Sequence, residues 1–168
     1  MKLNQAMQQL FQQYSLNPGD SYPECSEYPI WRKTDAAGRP YWGTGSFCGM
    51  DRKEVQPDAN LSYLEWDGNE VYLSGETMGD TAALLRQMMG ILAYWQRVLA
   101  AEYPDTSFFL MASYDDGQDL VYEEDDLPIP SVTLRFWADR GDRMVADVEN
   151  LNRYAQPVMV VYCSVGGV

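Results

Sequence analysis

The chain has 168 residues, 12 basic against 25 acidic side chains and no histidine, which gives a formal net charge of −13 at pH 7. Five tryptophans, twelve tyrosines and five phenylalanines in a 46% apolar composition exclude a disordered chain, and a chain this long buries roughly 70% of the surface its unfolded form exposes, enough for a core without staples. The charge argues against nucleic acid as a direct ligand and against anionic membranes, both of which are gripped by Lys and Arg, and the missing histidine removes Ser-His-Asp and Cys-His nucleophile systems and His-ligated metal sites.

Leu3, Met7, Leu10, Phe11 and Tyr14 recur at helical spacing, and the other face of that helix is glutamine and asparagine. It is expected to stop at Asn17-Pro18-Gly19. From there to Arg39-Pro40 the prolines 18, 23, 29 and 40 and the turn Thr34 to Gly38 predict an irregular or extended but ordered crossing, held by Tyr22, Tyr28, Ile30 and Trp31. Tyr41 to Met50 reads as a glycine-interrupted strand. Leu61 to Trp66 and Asn69 to Leu73, separated by Asp67-Gly68, read as a β-hairpin with a type I′ turn.

The longest periodic segment, Thr81 to Tyr103, carries Leu84, Leu85, Met88, Met89, Ile91, Leu92, Trp95, Val98 and Leu99 on one broad stripe and reads as the central core helix. Asp80 or Thr77 can cap it, Pro104 ends it, and Gly90 near its middle marks a close contact with another element. Thr106 to Tyr114, Ser131 to Trp137 and Pro157 to Ser164 read as strands; Met144 to Val148 is a shorter strand candidate in competition with a helical turn at Asp147 to Arg153. The expected fold is one α+β domain over 1–168, a mainly antiparallel sheet with the N-terminal helix and the long central helix packed on one face.

Chemical motifs are sparse. Cys25, Cys48 and Cys163 are an odd, widely spaced set without a CxxC pair, so reduced core thiols are expected rather than disulfides, a zinc site or nucleophiles. Gly43 to Gly49 has GxGxxxG spacing with no long helix after it, which fits a closely approached strand better than a dinucleotide loop. Asp115 to Asp126 departs from a calcium loop at Gly117 and at Leu120, where ligand and glycine are required. No cofactor and no metal is expected. No apolar run approaches the roughly 18 residues of a membrane span, and the glutamine-rich start lacks the apolar core of an export signal, so the expected location is the cytoplasm.

The informative feature is the run from Tyr114 to Asp126, in which Asp115, Asp116, Asp119, Glu123, Glu124, Asp125 and Asp126 supply seven of the 13 units of net negative charge. One reading is a solvated loop that aids solubility. The other notes that Tyr114, Leu120, Val121 and Tyr122 interleave with the acids, as a surface that anchors a basic protein requires, with Tyr114 or Tyr122 as anchors. The Gln-rich face of the first helix and the aromatic strand at Tyr41 and Trp42 are the fallback surfaces.

The pattern Trp31-Arg32-Lys33, Gly38-Arg39-Pro40-Tyr41-Trp42-Gly43-Thr44 and Phe47, followed by the hairpin and the central helix, resembles the immunity protein 52 family of bacterial polymorphic-toxin and type VI secretion systems. That resemblance implies a catalytically inert protein that occludes a cognate, nuclease-like toxin with a basic surface. The rival classes are a small enzyme using a carboxylate pair, betrayed by buried carboxylates in a pocket, and an acidic adaptor or nucleic-acid mimic unrelated to toxins.

Overall fold

The stripe on the central helix is buried against a sheet. In the computed structural model, which describes residues 1–45, 55, 58–78, 80–118, 127–141 and 145–165, the elements are β1 (Lys2–Leu3), α1 (Gln5–Gln13), β2 (Ile30–Thr34), β3 (Pro40–Thr44), α2 (Leu61–Gly68), β4 (Val71–Ser74), α3 (Gly75–Met78), α4 (Thr81–Glu102), β5 (Phe108–Asp115), β6 (Ser131–Ala138) and β7 (Val158–Cys163). Five strands form an antiparallel sheet in the order β1-β7-β5-β6-β4, and β2 and β3 form a separate two-stranded ribbon. The α+β class, the antiparallel sheet and the two helices on one face are as the periodicities require.

Alternation along the strands sorts the side chains. Phe108, Leu110, Ala112 and Tyr114 of β5, with Val132, Leu134 and Phe136 of β6 and Met159 and Val161 of β7, share a cluster with Met7, Leu10 and Phe11 of α1 and with the α4 stripe. Leu92 is 2% exposed and Trp95 is fully buried, and each such burial contributes about 1.5–3 kcal/mol. The opposite face carries Met111, Trp137, Val158 and Val160, covered by Trp66 of α2 and by the chain between 145 and 154. Asp80 caps α4 through Ala83 N. Gly90 is where the crossing segment presses in: a Cβ there would stand 2.4 Å from the Pro23 carbonyl oxygen, and Cys25 N donates to Gly90 O.

The structure corrects three expectations and decides between two alternatives in a fourth place. Leu61 to Leu73 is not a hairpin: Leu61 to Gly68 is helix α2, and Val71–Ser74 pairs with β6 rather than with it. Asn60 caps α2 by accepting from Tyr63 N at 2.9 Å, and the buried positions Leu61, Leu64, Glu65 and Gly68 follow helical spacing. Asp67-Gly68 therefore ends a helix instead of turning two strands. The crossing segment contains a regular strand, β2, paired to β3 from Ile30↔Thr44 to Thr34↔Pro40. The first helix ends at Gln13, before Asn17, because Ser15 takes a left-handed φ of 51° and Leu16 N closes on Phe11 O at 2.9 Å. Of the strand candidate Met144 to Val148, Met144 lies outside the described residues and 145–148 form no strand; the competing turn is present as a 3-10 turn, Leu151–Arg153, with Asp147 accepting from Asn150 N. Of the glycine-interrupted strand, Pro40–Thr44 is present, and 46–50, with Cys48, lie outside the described residues. Cys25 and Cys163 are free thiols, Cys163 buried, and burial pushes the Cys163 thiol up to about 11. Among the described residues no helix is long and apolar enough to cross a membrane.

Candidate protein-binding groove

The acidic run begins where β5 leaves the sheet. Asp115 is the last residue paired to β6, opposite Ser131, and its Oδ1 accepts from Gly117 N at 2.7 Å while Asp116 Oδ1 accepts from Gln118 N at 3.1 Å. Gly117 has φ +75° and lies so close to the returning chain that a Cβ would stand 2.3 Å from Ile129 O, so only glycine fits the turn. These contacts fix both carboxylates at the surface. Asp119, Tyr122, Glu123, Glu124, Asp125 and Asp126 lie outside the described residues. The chain resumes with Leu127 and Ile129 exposed, 84% and 43%.

Tyr114 sits differently from the anchor expected of it. It is 7% exposed, with its ring committed to the protein's own core. Burial raises its phenol pKa, opposed by a hydrogen bond with Thr81 and reinforced by Tyr14, Asp116 and Asp115. Tyr41 and Trp42 are likewise buried, so neither ring projects from the surface as an anchor.

The structure brings Asp115 and Asp116 to the rim of a groove of about 730 Å³ whose facing wall is the polar side of α1. Gln9, Gln13 and Tyr14 line that wall, Pro128 and Pro130 a second, and Ala155 to Pro157 a third; no Lys or Arg is among the described lining residues. Asn4 sets the spacing of two walls. Its Oδ1 caps α1 through Met7 N at 2.9 Å and accepts from Val158 N at 3.0 Å, and its Nδ2 donates to Gln156 O at 2.8 Å. The acidic run and the Gln-rich face are each visible in the sequence. Their meeting is not, because it depends on β1 pairing with β7, Lys2↔Val160 and Leu3↔Met159.

A second polar node lies at the other end of the molecule's charge scale. Glu65 is fully buried; it accepts from Trp42 N at 3.0 Å, from Ala138 N at 2.7 Å and from both terminal nitrogens of Arg140 at 2.7 and 2.8 Å. Burial, the largest influence, pushes its carboxyl pKa up, and Arg140 with the two amides acts the other way. A neighbouring cleft of about 500 Å³ is lined by Arg39, Trp42 and Arg140 but not by Glu65, so this carboxylate joins elements and does not face a cleft. Among the described residues no three Cys, Asp or Glu side chains are grouped to hold a metal ion.

No protein family, curated protein or solved structure matches this chain.

Proposed function

We propose that the protein captures a basic protein and neutralises it by occlusion, as the resemblance to immunity proteins implies, with a nuclease-type toxin in the cytoplasm as its target. The observation that carries this reading is the groove rim: two surface carboxylates held by their own turns, beside an amide-lined wall with no cation among the described lining residues. A nuclease must present Lys and Arg to phosphate. An inhibitor that offers carboxylates to the same surface gains long-range steering and fast capture, and a net charge of −13 extends that field. Fast association is what an antidote needs.

The test uses the basic protein that a pull-down with this chain recovers from the native organism. A 1:1 complex that abolishes its nuclease activity, with an association rate falling steeply between low and physiological salt, is the expected result. A toxin that stays active at excess protein, or a complex whose association ignores salt, overturns the proposal.

A further inference from the structure

The groove has a chemistry narrower than net charge. Gln9 and Gln13 are exposed and one helical turn apart on α1, about 6 Å along its axis. An extended chain repeats every two residues, roughly 6.6 Å, with alternate peptide groups facing the same way. A primary amide donates and accepts as a peptide group does, so the pair presents two peptide-like partners at the repeat of an extended strand.

Facing this wall, at the groove's rim, stand Asp115 and Asp116. Their Oδ1 atoms are occupied by Gly117 N and Gln118 N, and no hydrogen bond reaches either Oδ2 among the described residues. The planar fork of a guanidinium matches carboxylate oxygens, and its face can stack on the partly exposed ring of Tyr14 in the same groove. Beyond the rim, Leu127 and Ile129 project outward while the alternate prolines 128 and 130 line the groove, which leaves an apolar lip for the segment's other face.

We infer that the groove between α1 and the end of β5 seats an extended segment of the basic partner, its backbone along Gln9 and Gln13 and an arginine against Asp115 and Asp116. This rests on the reading above and names what that reading leaves open. The probe is a labelled octapeptide, Gly-Ser-Arg-Ser-Arg-Ser-Arg-Gly, against its twin with citrulline, which keeps the shape and removes the charge. Binding to the full chain is read by fluorescence anisotropy at low salt and by amide NMR shifts.

The arginine peptide is expected to bind about tenfold or more tightly than its twin, shifting the amides of Ala6 to Tyr14 and Ala155 to Gln156. Asp115→Asn with Asp116→Asn keeps the Oδ1 acceptors of both turns and reduces that preference to about two- to threefold or less. Gln9→Ala with Gln13→Ala weakens both peptides by about threefold. Glu102→Gln with Asp105→Asn removes the same charge near the far end of α4, about 30 Å from Thr81 at the groove, and leaves the preference intact. A preference that survives the Asp115/Asp116 pair, falls equally with Glu102/Asp105, or comes with no loss in the glutamine variant overturns the inference, as does failure of the peptide to bind. Toxin bound normally by both groove variants sinks the groove alone. Toxin ignored by a protein that reads the peptides as described sinks the inhibitory reading alone.

Discussion

Glu65 of α2 and Asn69, the C-cap residue one turn further on, together take the place of a strand between two sheets. Toward the ribbon, Glu65 accepts from Trp42 N, while Asn69 accepts from Thr44 N at 3.0 Å and donates to Trp42 O at 3.0 Å. Toward the main sheet, Glu65 accepts from Ala138 N and Asn69 donates to Phe136 O at 3.0 Å. Two side chains thus satisfy backbone groups that β3 and β6 would otherwise bury unpaired.

This sets Glu65 and Arg140 apart from most buried ion pairs, whose joint replacement by apolar residues is often neutral or stabilising. Here the amides of Trp42 and Ala138 would lose their acceptor along with the charge. Glu65→Leu with Arg140→Leu should therefore remain destabilised by about 2 kcal/mol or more, and Glu65→Leu alone, which strands Arg140, by about 3–5 kcal/mol. Urea unfolding midpoints decide it: a double variant as stable as the wild type would show that the amides need no acceptor.

Asn4 carries the corresponding duty at the groove. Asn4→Ala removes the cap of α1, a loss of about 1 kcal/mol, and also deprives Val158 N and Gln156 O of a buried partner, so a total of about 2–3 kcal/mol is expected. Asn4→Asp keeps the acceptor and loses the donor, and it should fall between the two. Amide exchange should accelerate in α1 and at 156–158 while α4 stays protected; uniform acceleration would contradict the local role.

How much of this was legible follows from what each signal measures. Strong periodicity placed α1, α4, β5, β6 and β7, because their buried faces are apolar. The segment from Leu61 misleads since two of its buried positions are Glu65 and Gly68, neither of which reads as core, and the short, mostly apolar run that remains stops at an Asp-Gly pair, a strong hairpin-turn signal. Tyr114 falls inside the acidic run by sequence but on the helix-facing side of β5 by alternation, which puts its ring in the core rather than in a partner. The groove itself joins residues near 10 to residues near 115 and 156, a conjunction carried by strand pairing and not by any local motif.

Gly90 sets two effects against each other. Alanine in a helix interior is favoured over glycine by about 1 kcal/mol, but the added Cβ would meet the Pro23 carbonyl oxygen at 2.4 Å and the Cys25 backbone nitrogen at 3.5 Å. The neighbour is backbone, so it cannot rotate away. Gly90→Ala should destabilise by about 1–3 kcal/mol, whereas the pair Gly90→Ala with Pro23→Gly should recover part of the loss. A stabilised single variant would mean that the crossing segment gives way at little cost.

The last prediction concerns acid. Asp35 closes the β2–β3 turn with its side chain buried: Oδ2 meets Arg39 Nε at 2.7 Å and Oδ1 accepts from the amides of Ala37 and Arg39 at 2.9 and 2.7 Å. Burial alone would raise its carboxyl pKa, but the Arg39 guanidinium and the two amides together outweigh it and hold the group below its ordinary value. The unfolded chain therefore binds a proton that the folded one resists, so this group's stabilisation is complete above the ordinary carboxylate pKa of about 4 and disappears as pH falls through the lower folded value. Asp35→Asn keeps the Oδ1 acceptor and loses the charge facing Arg39. It should be less stable than the wild type at pH 7 and at pH 5, with the difference shrinking below pH 4, and comparing the two proteins at each pH cancels the relief of general negative repulsion that acid brings to both. Urea midpoints at pH 7, 5 and 3 are the measurement, and a difference that stays constant across them would place the carboxyl at its ordinary pKa and leave the turn held by its amides alone.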